Sequence, residues 1–301
     1  MQIVKFFLIS LLLSTFSKKT ASQDTTNLMN QLEKETLQFK TVYAVGTFKS
    51  TRIIDGQSIE NLPKNVLDVR ISHRFGPISS GLYNFFGLDN AMMRLGFDYG
   101  ITNNIMAGFG HSTFQKTYDA FFKIKILRQS TGVVNMPVSI SFVPTIAINT
   151  LRQFDSVKTN FSDRVSMVYQ VLIARKFSEK FALQIMPSFI QTDNISFNHS
   201  KHNILAFGIG GRYKISKRIN INVEYYYQLP DTKAPGSHNV LSFGIDIGTG
   251  GHVFELLFSN SFGLTEKSFI AENSGRWDNS DALFGFNISR VFQLGNKHKK
   301  H

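Results

Sequence analysis

The stretch "RININVEYYYQLP", residues 218–230, alternates apolar and polar side chains at every second position. A β-strand turns successive side chains to opposite faces, so this strand is apolar on one face and polar on the other. In a soluble β-sandwich the apolar face points to a core, whereas in a membrane-spanning β-barrel it points to lipid and the polar face lines the lumen. One strand does not decide between the two arrangements, so the pattern has to be followed along the chain.

Length and composition limit the fold. A chain of 301 residues with 42% hydrophobic content is not disordered, and it can form one large barrel or two ordinary domains. Beyond the first residues, no run stays apolar for the roughly 20 positions that a spanning helix needs. The absence of cysteine excludes disulfides, thiolate catalysis and thiolate metal sites.

The N-terminus has the pattern of a secretory signal peptide. Lys5 precedes the apolar run "FFLISLLLSTF" (6–16), and the small residues Thr20 and Ser22 follow it. The run is too short to span a bilayer, and we predict a signal peptide at residues 1–22. Export of a barrel places it in the outer membrane of a Gram-negative bacterium.

The chain is basic, with a formal net charge of +12. Without Lys5, Lys18 and Lys19 of the predicted signal, 12 − 3 leaves +9. Such a protein is drawn to anions, so we expect outer-membrane lipids and anionic small solutes as partners, and no nucleic acid. A solvated basic surface with a basic tail at 295–301 is the alternative.

From residue 66 onward, short alternating segments are separated by turn residues, which is typical of a β-barrel. The pattern predicts twelve strands, at 66–75, 92–101, 104–112, 118–127, 136–149, 164–175, 181–191, 203–214, 218–229, 240–249, 252–260 and 282–293. No predicted helix interrupts them, which favours antiparallel neighbours. Residues 28–39 have helical spacing, residues 41–54 read as extended, and segment 23–65 is predicted to be a periplasmic lead-in or a lumen plug.

The connections fall into two classes. Short ones such as 176–180 and 215–217 alternate with long ones such as 76–91 and 261–281, apart from a brief link at 113–117. An up-and-down barrel with tight periplasmic turns and long outer loops predicts this alternation, and an even strand count puts both ends of the barrel (66–294) on the periplasmic side. A Greek-key sandwich does not predict it.

Charged side chains share the polar face of several strands, and we predict that they line the lumen. The candidates are Asp68, Arg70, Arg74, Arg94, Asp98, Asp119, Lys123, Lys125 and Glu224. Tyr99, Tyr225 and Tyr227 lie near strand ends on the apolar face, where an aromatic girdle is expected. Pro144 and Pro187 fall inside predicted strands, where a missing N–H breaks the ladder unless a bulge absorbs it.

The sequence does not indicate catalysis. Ser72 and His73 are adjacent on a strand, so they point to opposite faces and cannot act as nucleophile and base. His111 is interpreted as a rim histidine rather than a ligand, and the glycines of "GIGG" (208–211) as relief of strain where a strand coils. No metal-protease, EF-hand or phosphate-loop motif is present, so we predict no catalytic residue, metal site or cofactor.

Long segments of the chain resemble the DUF5777 family of β-barrel proteins found in Bacteroidota. They are "FKSTRIIDGQSIE", "ISHRFGPISSGLYNFFGLDNAMMRLGFDYGITNNIMAGFG", "FQKTYDAFFKIKILRQSTG", "GGHVFELLFSNSFGLTEKSFIAE" and "FGFNISRVFQL". The resemblance covers most of residues 46–294 and implies an outer-membrane barrel, without an established activity or catalytic residues. Family members are often encoded near exported lipid-binding YceI-like proteins and c-type cytochromes, which implies a periplasmic lipid-binding or cytochrome partner.

The sequence therefore predicts an all-β, up-and-down antiparallel transmembrane barrel of about twelve strands. We predict a non-enzymatic narrow channel, or a membrane-embedded structural component that works with periplasmic partners. The alternatives are a secreted β-sandwich or lipocalin-like lipid binder, and an outer-membrane lipid-processing enzyme.

Overall fold

The computed structural model describes Met29 and residues 40–152, 160–192 and 202–294. The predicted signal peptide (1–22), the basic tail (295–301) and, apart from Met29, the predicted helix (28–39) lie outside the described residues. The chain divides into two compact units, Met1–Val42 with Gly132–Val134, and Tyr43–Thr131 with Asn135–His301. In the first unit the Val134 N–H donates to Thr41 Oγ1 at 3.3 Å. Apart from Val42 of β1, the residues described below belong to the second unit.

Twelve strands form a closed barrel in which every neighbouring pair is antiparallel. They are β2 (Val66–Pro77), β3 (Ala91–Gly100), β4 (Ile105–Ser112), β5 (Thr117–Leu127), β7 (Ser139–Asn149), β8 (Val165–Lys176), β9 (Phe181–Thr192), β10 (His202–Lys214), β11 (Ile219–Gln228), β12 (Val240–Thr249), β13 (His252–Ser259) and β14 (Leu283–Gln293). Two strands of two residues each, β1 (Val42–Tyr43) and β6 (Ser130–Thr131), are not part of the barrel. Pairing of β14 with β2 closes the barrel, so the prediction of an up-and-down barrel with twelve strands is confirmed.

The connections are sorted between the two rims. Tight turns join β3 to β4, β8 to β9, β10 to β11 and β12 to β13, and we call their end of the barrel the short-turn rim. Val66 pairs with Gln293, so the chain enters and leaves the barrel at this rim. The opposite long-loop rim carries short 3-10 helices at Ile78–Ser80, Leu82–Gly87, Phe114–Lys116, Ser162–Arg164 and Pro230–Thr232, and one α-helix, α1 (Glu266–Ala271).

The apolar face of the strands is the outside of the barrel. On β11, Ile221 and Tyr227 are about two-fifths exposed, whereas Asn222 and Glu224 are buried. The apolar side chains of the other strands follow the same alternation. The β-sandwich alternative is therefore wrong, because one closed sheet surrounds the polar face.

Both prolines lie inside strands, and the neighbouring ladder accommodates them. Pro144 pairs with Tyr169 of β8. On its other side, the ladder between β5 and β7 lacks the residue pairs between Phe121–Thr145 and Ile124–Phe142. At Pro187 the ladder with β8 has a similar gap, and the ladder with β10 is continuous. Proline has no N–H to donate, and each of the two prolines has an interrupted ladder on one side and a continuous ladder on the other.

The interior of the barrel has two chemically different halves. The inward faces of β2–β5 and β11–β14 carry most of the buried charges. The inward faces of β7–β10 carry buried apolar side chains: Val143, Val168, Leu172, Met186, Ile190 and Ile204. Uncharged polar side chains lie among them, including Ser141, Gln170 and Gln184. This half of the interior therefore carries far fewer charges than the other half.

Candidate functional site: the barrel lumen

All of the predicted lumen residues lie on the inward face. Eight of them are buried, and Lys125 is half-buried near the short-turn rim. Tyr99, Tyr225 and Tyr227 lie on the outward face, Tyr99 near the short-turn rim and the other two near the long-loop rim. The Tyr99 hydroxyl donates to Asn65 Oδ1 at 3.1 Å.

Residues 47–62 form a plug that lies within the barrel. Most of the plug is buried, with Arg52, Asp55 and Gln57 at 5% exposure or less. It is a compact hairpin, because the Ile53 N–H donates to the Gly56 C=O at 2.9 Å and the Ser58 N–H donates to the Thr51 C=O at 3.0 Å. Within the segment 41–54 that was predicted to be extended and to end at a turn, strand pairing is found at β1 and at a bridge between Arg52 and Gln57. A turn at Asp55–Gly56 folds the chain back on itself.

The plug passes close to the barrel wall at its turn. A Cβ atom at Gly56 would lie 2.2 Å from the hydroxyl oxygen of Tyr226, so only glycine fits there. Gly210 of β10 gives similar room, because its Cβ would lie 2.4 Å from Cδ1 of Ile53. This glycine of "GIGG" makes space for the plug, which the strain interpretation did not predict.

Lys123 binds the plug backbone at three points. Its ammonium nitrogen donates to the carbonyl oxygens of Thr51 at 2.9 Å, Ser58 at 2.9 Å and Glu60 at 3.0 Å. An ammonium group has three donors, so this fully buried lysine is saturated by the plug. Sequence reasoning predicted that Lys123 lines the lumen, and in the structure the partners of its ammonium group there are plug carbonyls.

Asp55, at the tip of the plug, is a second point at which the plug binds the wall. Its Oδ1 lies 2.5 Å from Nη2 of Arg74, and its Oδ2 accepts a hydrogen bond of 3.0 Å from the Ser242 hydroxyl. The Glu224 carboxylate accepts hydrogen bonds from the N–H groups of Ile54 and Gly56 at 2.9 and 2.8 Å. Charge-assisted bonds of this kind are about twice as strong as neutral ones.

Side-chain amides of the wall bind two further carbonyls of the plug. Gln184 donates to the Gln57 C=O at 2.7 Å, and Asn287 donates to the Ile54 C=O at 3.1 Å. A buried backbone carbonyl without a partner is costly, so these bonds let an irregular segment lie inside the barrel.

The loop between β13 and β14 enters the lumen from the long-loop rim. All six residues of α1 are buried, and a capping box between Thr265 and Ser268 starts the helix. The Phe269 ring contacts the Tyr226 ring edge-on at 5.2 Å. Arg52 of the plug and Glu266 of α1 form an ion pair of 2.8 Å. The lumen is thus filled from both rims.

Two of the predicted lumen residues, Arg94 of β3 and Asp119 of β5, bind each other within the barrel wall. Arg94 donates from Nε to Asp119 Oδ1 at 2.9 Å and from Nη2 to Oδ2 at 2.5 Å. Gly96 and Gly110 leave room for its guanidinium, because a Cβ at either position would lie within 2.5 Å of it. This bidentate pair is structural, since both partners are already engaged by each other.

Sequence reasoning missed two sets of residues. Arg212, Asp246 and Glu255 are buried on the inward faces of β10, β12 and β13, although these strands were predicted. Arg52, Asp55 and Glu266 lie in segments without strand periodicity, so the face pattern gave no signal for them. The signals available were the turn-forming pair Asp55–Gly56 and the length of the loop that carries Glu266.

The closed barrel with an apolar exterior agrees with a comparison of sequence families. The family described as "Membrane bound beta barrel domain (DUF5777)" matches residues 48–292. The chain belongs to the DUF5777 family. The DUF5777 match begins at Phe48, so it includes the plug as well as the barrel.

Several solved structures are similar to this chain. The NanC porin is 12% identical, covering 76% of this chain and 100% of that chain with a TM-score of 0.47. The KdgM porin is 8% identical, and the similarity covers 75% of this chain and 99% of that porin, with a TM-score of 0.45. The outer membrane protein Omp33 of Acinetobacter baumannii is 7% identical over 76% and 99%, with a TM-score of 0.40. These likenesses concern the fold, and no curated protein matches this DUF5777 chain.

Among the described residues, no helix is long and apolar enough to cross a membrane. The same residues contain no group of three or more His, Cys, Asp or Glu side chains placed to hold a metal ion. At the short-turn rim, a hydrogen bond from Lys176 lowers the pKa of the exposed Glu179 below its ordinary value.

Proposed function

We propose that the protein is an outer-membrane channel that its own plug holds closed, and that it is not an enzyme. The family description and the apolar exterior support a membrane location. Long loops at one rim and tight turns at the other are typical of bacterial outer-membrane barrels, whose chain ends face the periplasm. On this basis the short-turn rim is periplasmic.

The observation that carries the channel proposal is the way in which the plug is held. Residues 47–62 contact the wall through side-chain hydrogen bonds and ion pairs, as at Lys123 and Arg74, and not through the strand ladder of the barrel. The plug can therefore leave without opening the barrel. Both of its ends lie toward the short-turn rim, where a periplasmic partner has access to the chain that precedes it.

Removal of the plug would expose a wall that carries buried charges of both signs. Lys123 would lose its three carbonyl partners and Arg74 would lose Asp55, and these two freed cations are the groups that would attract anionic small solutes in the open state. Arg94 contributes less, because Asp119 neutralises it.

The test is conductance in planar lipid bilayers. The wild-type chain is expected to be mostly silent, and a variant with residues 47–62 replaced by a Gly-Ser linker of equal length is expected to conduct anions. Adding Lys123→Gln to that variant should reduce its anion preference. The matched control adds Lys125→Gln, which changes a half-buried lysine of the same strand.

The second candidate is a membrane-embedded structural component for periplasmic lipid-binding or cytochrome partners. The largely uncharged half of the interior favours it, because the apolar side chains packed there are unsuited to solute passage. Heat-modifiable gel mobility first shows that the linker variant is folded. A folded linker variant that stays silent at all voltages contradicts the channel and leaves the structural role.

A further inference from the structure

A cleft of about 410 Å³ opens at the long-loop rim, on the outward side of the barrel. It lies between the ends of β11 and β12 and the loop that joins β13 to β14. The residues that carry the argument are Tyr225, His238, Asn239, Arg276, Trp277 and Asp278. None of them contributes to the contacts of the plug described above.

One wall of the cleft is a fixed aromatic ring. Trp277 is the only tryptophan of the chain, and its indole N–H donates to the Leu241 C=O at 3.0 Å. Its ring meets Phe243 edge-on at 5.8 Å between centroids. The side chain keeps 36% of its surface exposed in spite of these two contacts. The cleft therefore presents a rigid aromatic surface to a ligand.

The polar part of the cleft is an ion pair on the same loop as Trp277. Arg276 donates from Nε to Asp278 Oδ1 at 2.9 Å, and its Nη2 donates to Asp278 Oδ2. The side chains of the two residues are 48% and 67% exposed. The pair is electrically neutral, yet the guanidinium has further N–H donors and the carboxylate has further lone pairs. It can donate to and accept from the same ligand group.

Neighbouring polar groups are held in place. The Asn239 amide donates to the Tyr225 hydroxyl oxygen at 3.0 Å, and its carbonyl oxygen accepts from the Gln228 N–H at 3.1 Å. The His238 main chain exchanges two hydrogen bonds with Asn273, at 2.6 and 3.1 Å. The cleft is thus preorganised by its own hydrogen bonds.

We propose that this cleft binds the ring of a hexose-type sugar. A sugar has apolar C–H faces that suit the exposed surface of Trp277, and its hydroxyl groups both donate and accept, which suits the Arg276–Asp278 pair. A purely apolar ligand would desolvate that ion pair without replacing its water bonds, and an anionic ligand would meet the Asp278 carboxylate. A neutral sugar avoids both costs.

Two sources can supply such a ring. Tyr225 and Leu241 of the cleft lie on the outward face of their strands, so the sugar part of a glycolipid in the surrounding leaflet is adjacent. A soluble saccharide has access through the open side of the cleft. A tryptophan that only anchors the barrel at the membrane interface is the competing explanation for Trp277.

The test uses the fluorescence of Trp277, which reports on the cleft alone because the chain has no other tryptophan. The full chain in detergent micelles is titrated with methyl glycosides of glucose, galactose, mannose and N-acetylglucosamine. A second arm uses micelles that contain purified lipopolysaccharide, compared with micelles that contain phosphatidylethanolamine. We expect a saturable change in emission with at least one methyl glycoside or with lipopolysaccharide.

Arg276→Ala and Asp278→Ala should each weaken that response by about tenfold or more, since each removes a charge-assisted bond to the ligand. The matched control is Asp89→Ala, which removes an exposed carboxylate from a different loop of the same rim. Heat-modifiable mobility shows that each variant is folded. A response to methyl glycosides indicates a soluble saccharide, and a response to lipopolysaccharide alone indicates a glycolipid.

The proposal is overturned by an unchanged emission with every probe. It is also overturned by an equal response to lipopolysaccharide and phosphatidylethanolamine that survives both alanine substitutions, because that is the behaviour of an interfacial anchor. Saturation-transfer NMR with Trp277→Phe checks the aromatic contact independently, and transfer as strong as in the wild type would contradict it.

Discussion

Arg52 of the plug and Glu266 of α1 form an ion pair at the centre of the barrel, with 2.8 Å between Nη1 and Oε1. The same carboxylate oxygen accepts a hydrogen bond of 3.2 Å from the Gln57 amide. The plug enters from the short-turn rim and α1 from the long-loop rim, so this pair connects the two rims through the lumen.

The first prediction concerns this pair. Glu266→Gln leaves the Arg52 guanidinium buried without a counter-charge, and we expect a loss of about 3–5 kcal/mol in the free energy of unfolding. Urea unfolding in micelles, followed by Trp277 fluorescence, measures it. Replacing both partners by methionine should recover much of the loss, because no unpaired charge remains.

The matched control for the pair is Glu179→Gln at the short-turn rim. Glu179 is 79% exposed and bonded to Lys176, so its removal should leave the unfolding midpoint unchanged. Equal effects of the two substitutions would mean that the central pair does not hold the plug to α1.

The second prediction concerns the plug anchor at Lys123. Ser58→Cys introduces the only thiol of the chain at a fully buried position of the plug. In the wild-type background a water-soluble maleimide should label it slowly. Lys123→Met removes the donor for three plug carbonyls, and we expect labelling at least about tenfold faster, since a hydrogen bond to a charged group contributes about 1.5–3 kcal/mol.

Lys125→Met is the control for this experiment, because it removes a half-buried lysine two positions along the same strand. It should leave the labelling rate close to that of the parent. If both methionine variants label at the parent rate, Lys123 is not what retains the plug.

The strands could be predicted from the sequence because their physics is local. A period of two with one lipid-facing side is visible within ten residues, as at 219–228, and all twelve strands lie within three residues of their predicted bounds. Even Pro144 and Pro187 did not break the pattern, because the outward and inward alternation continues through them.

The contents of the lumen could not be predicted in the same way. The contact between Arg52 and Glu266 joins positions 214 apart in sequence. Neither segment has a hydrophobic periodicity from which the contact could be predicted. The polar face of the strands showed which charges point inward, as for Lys123. It did not show that protein rather than water would meet them.

The third prediction concerns the segment that leads from the plug into β2. Gly100, at the end of β3, lies so close to the segment that follows the plug that a Cβ there would lie 2.0 Å from the carbonyl oxygen of Pro63. The obstacle is backbone, which cannot rotate away as a side chain does. Gly100→Ala should therefore cost about 1–3 kcal/mol in the free energy of unfolding and speed the labelling of Ser58→Cys.

Gly211→Ala is the control for that substitution. The nearest atom to its added Cβ is in Leu183 at 3.8 Å, an ordinary contact, so the change should stay within about 0.5 kcal/mol. Similar losses at both glycines would point to a general cost of alanine in these strands and not to the plug.

The fourth prediction tests whether the outward face meets lipid. Ile71 lies in the middle of β2, paired with Leu95 on one side and with Ile288 on the other, and it is 36% exposed. Ile71→Arg puts a charge near the bilayer midplane, and we expect a cost of about 2–4 kcal/mol when unfolding is measured in lipid vesicles. Leu229→Arg, at the long-loop rim, should cost about 0–1 kcal/mol, because arginine there reaches the interface. In a barrel whose exterior met water, both arginines would be solvated and both costs would be small, so the difference between the two positions, measured in the same vesicles, decides whether a bilayer surrounds the strands.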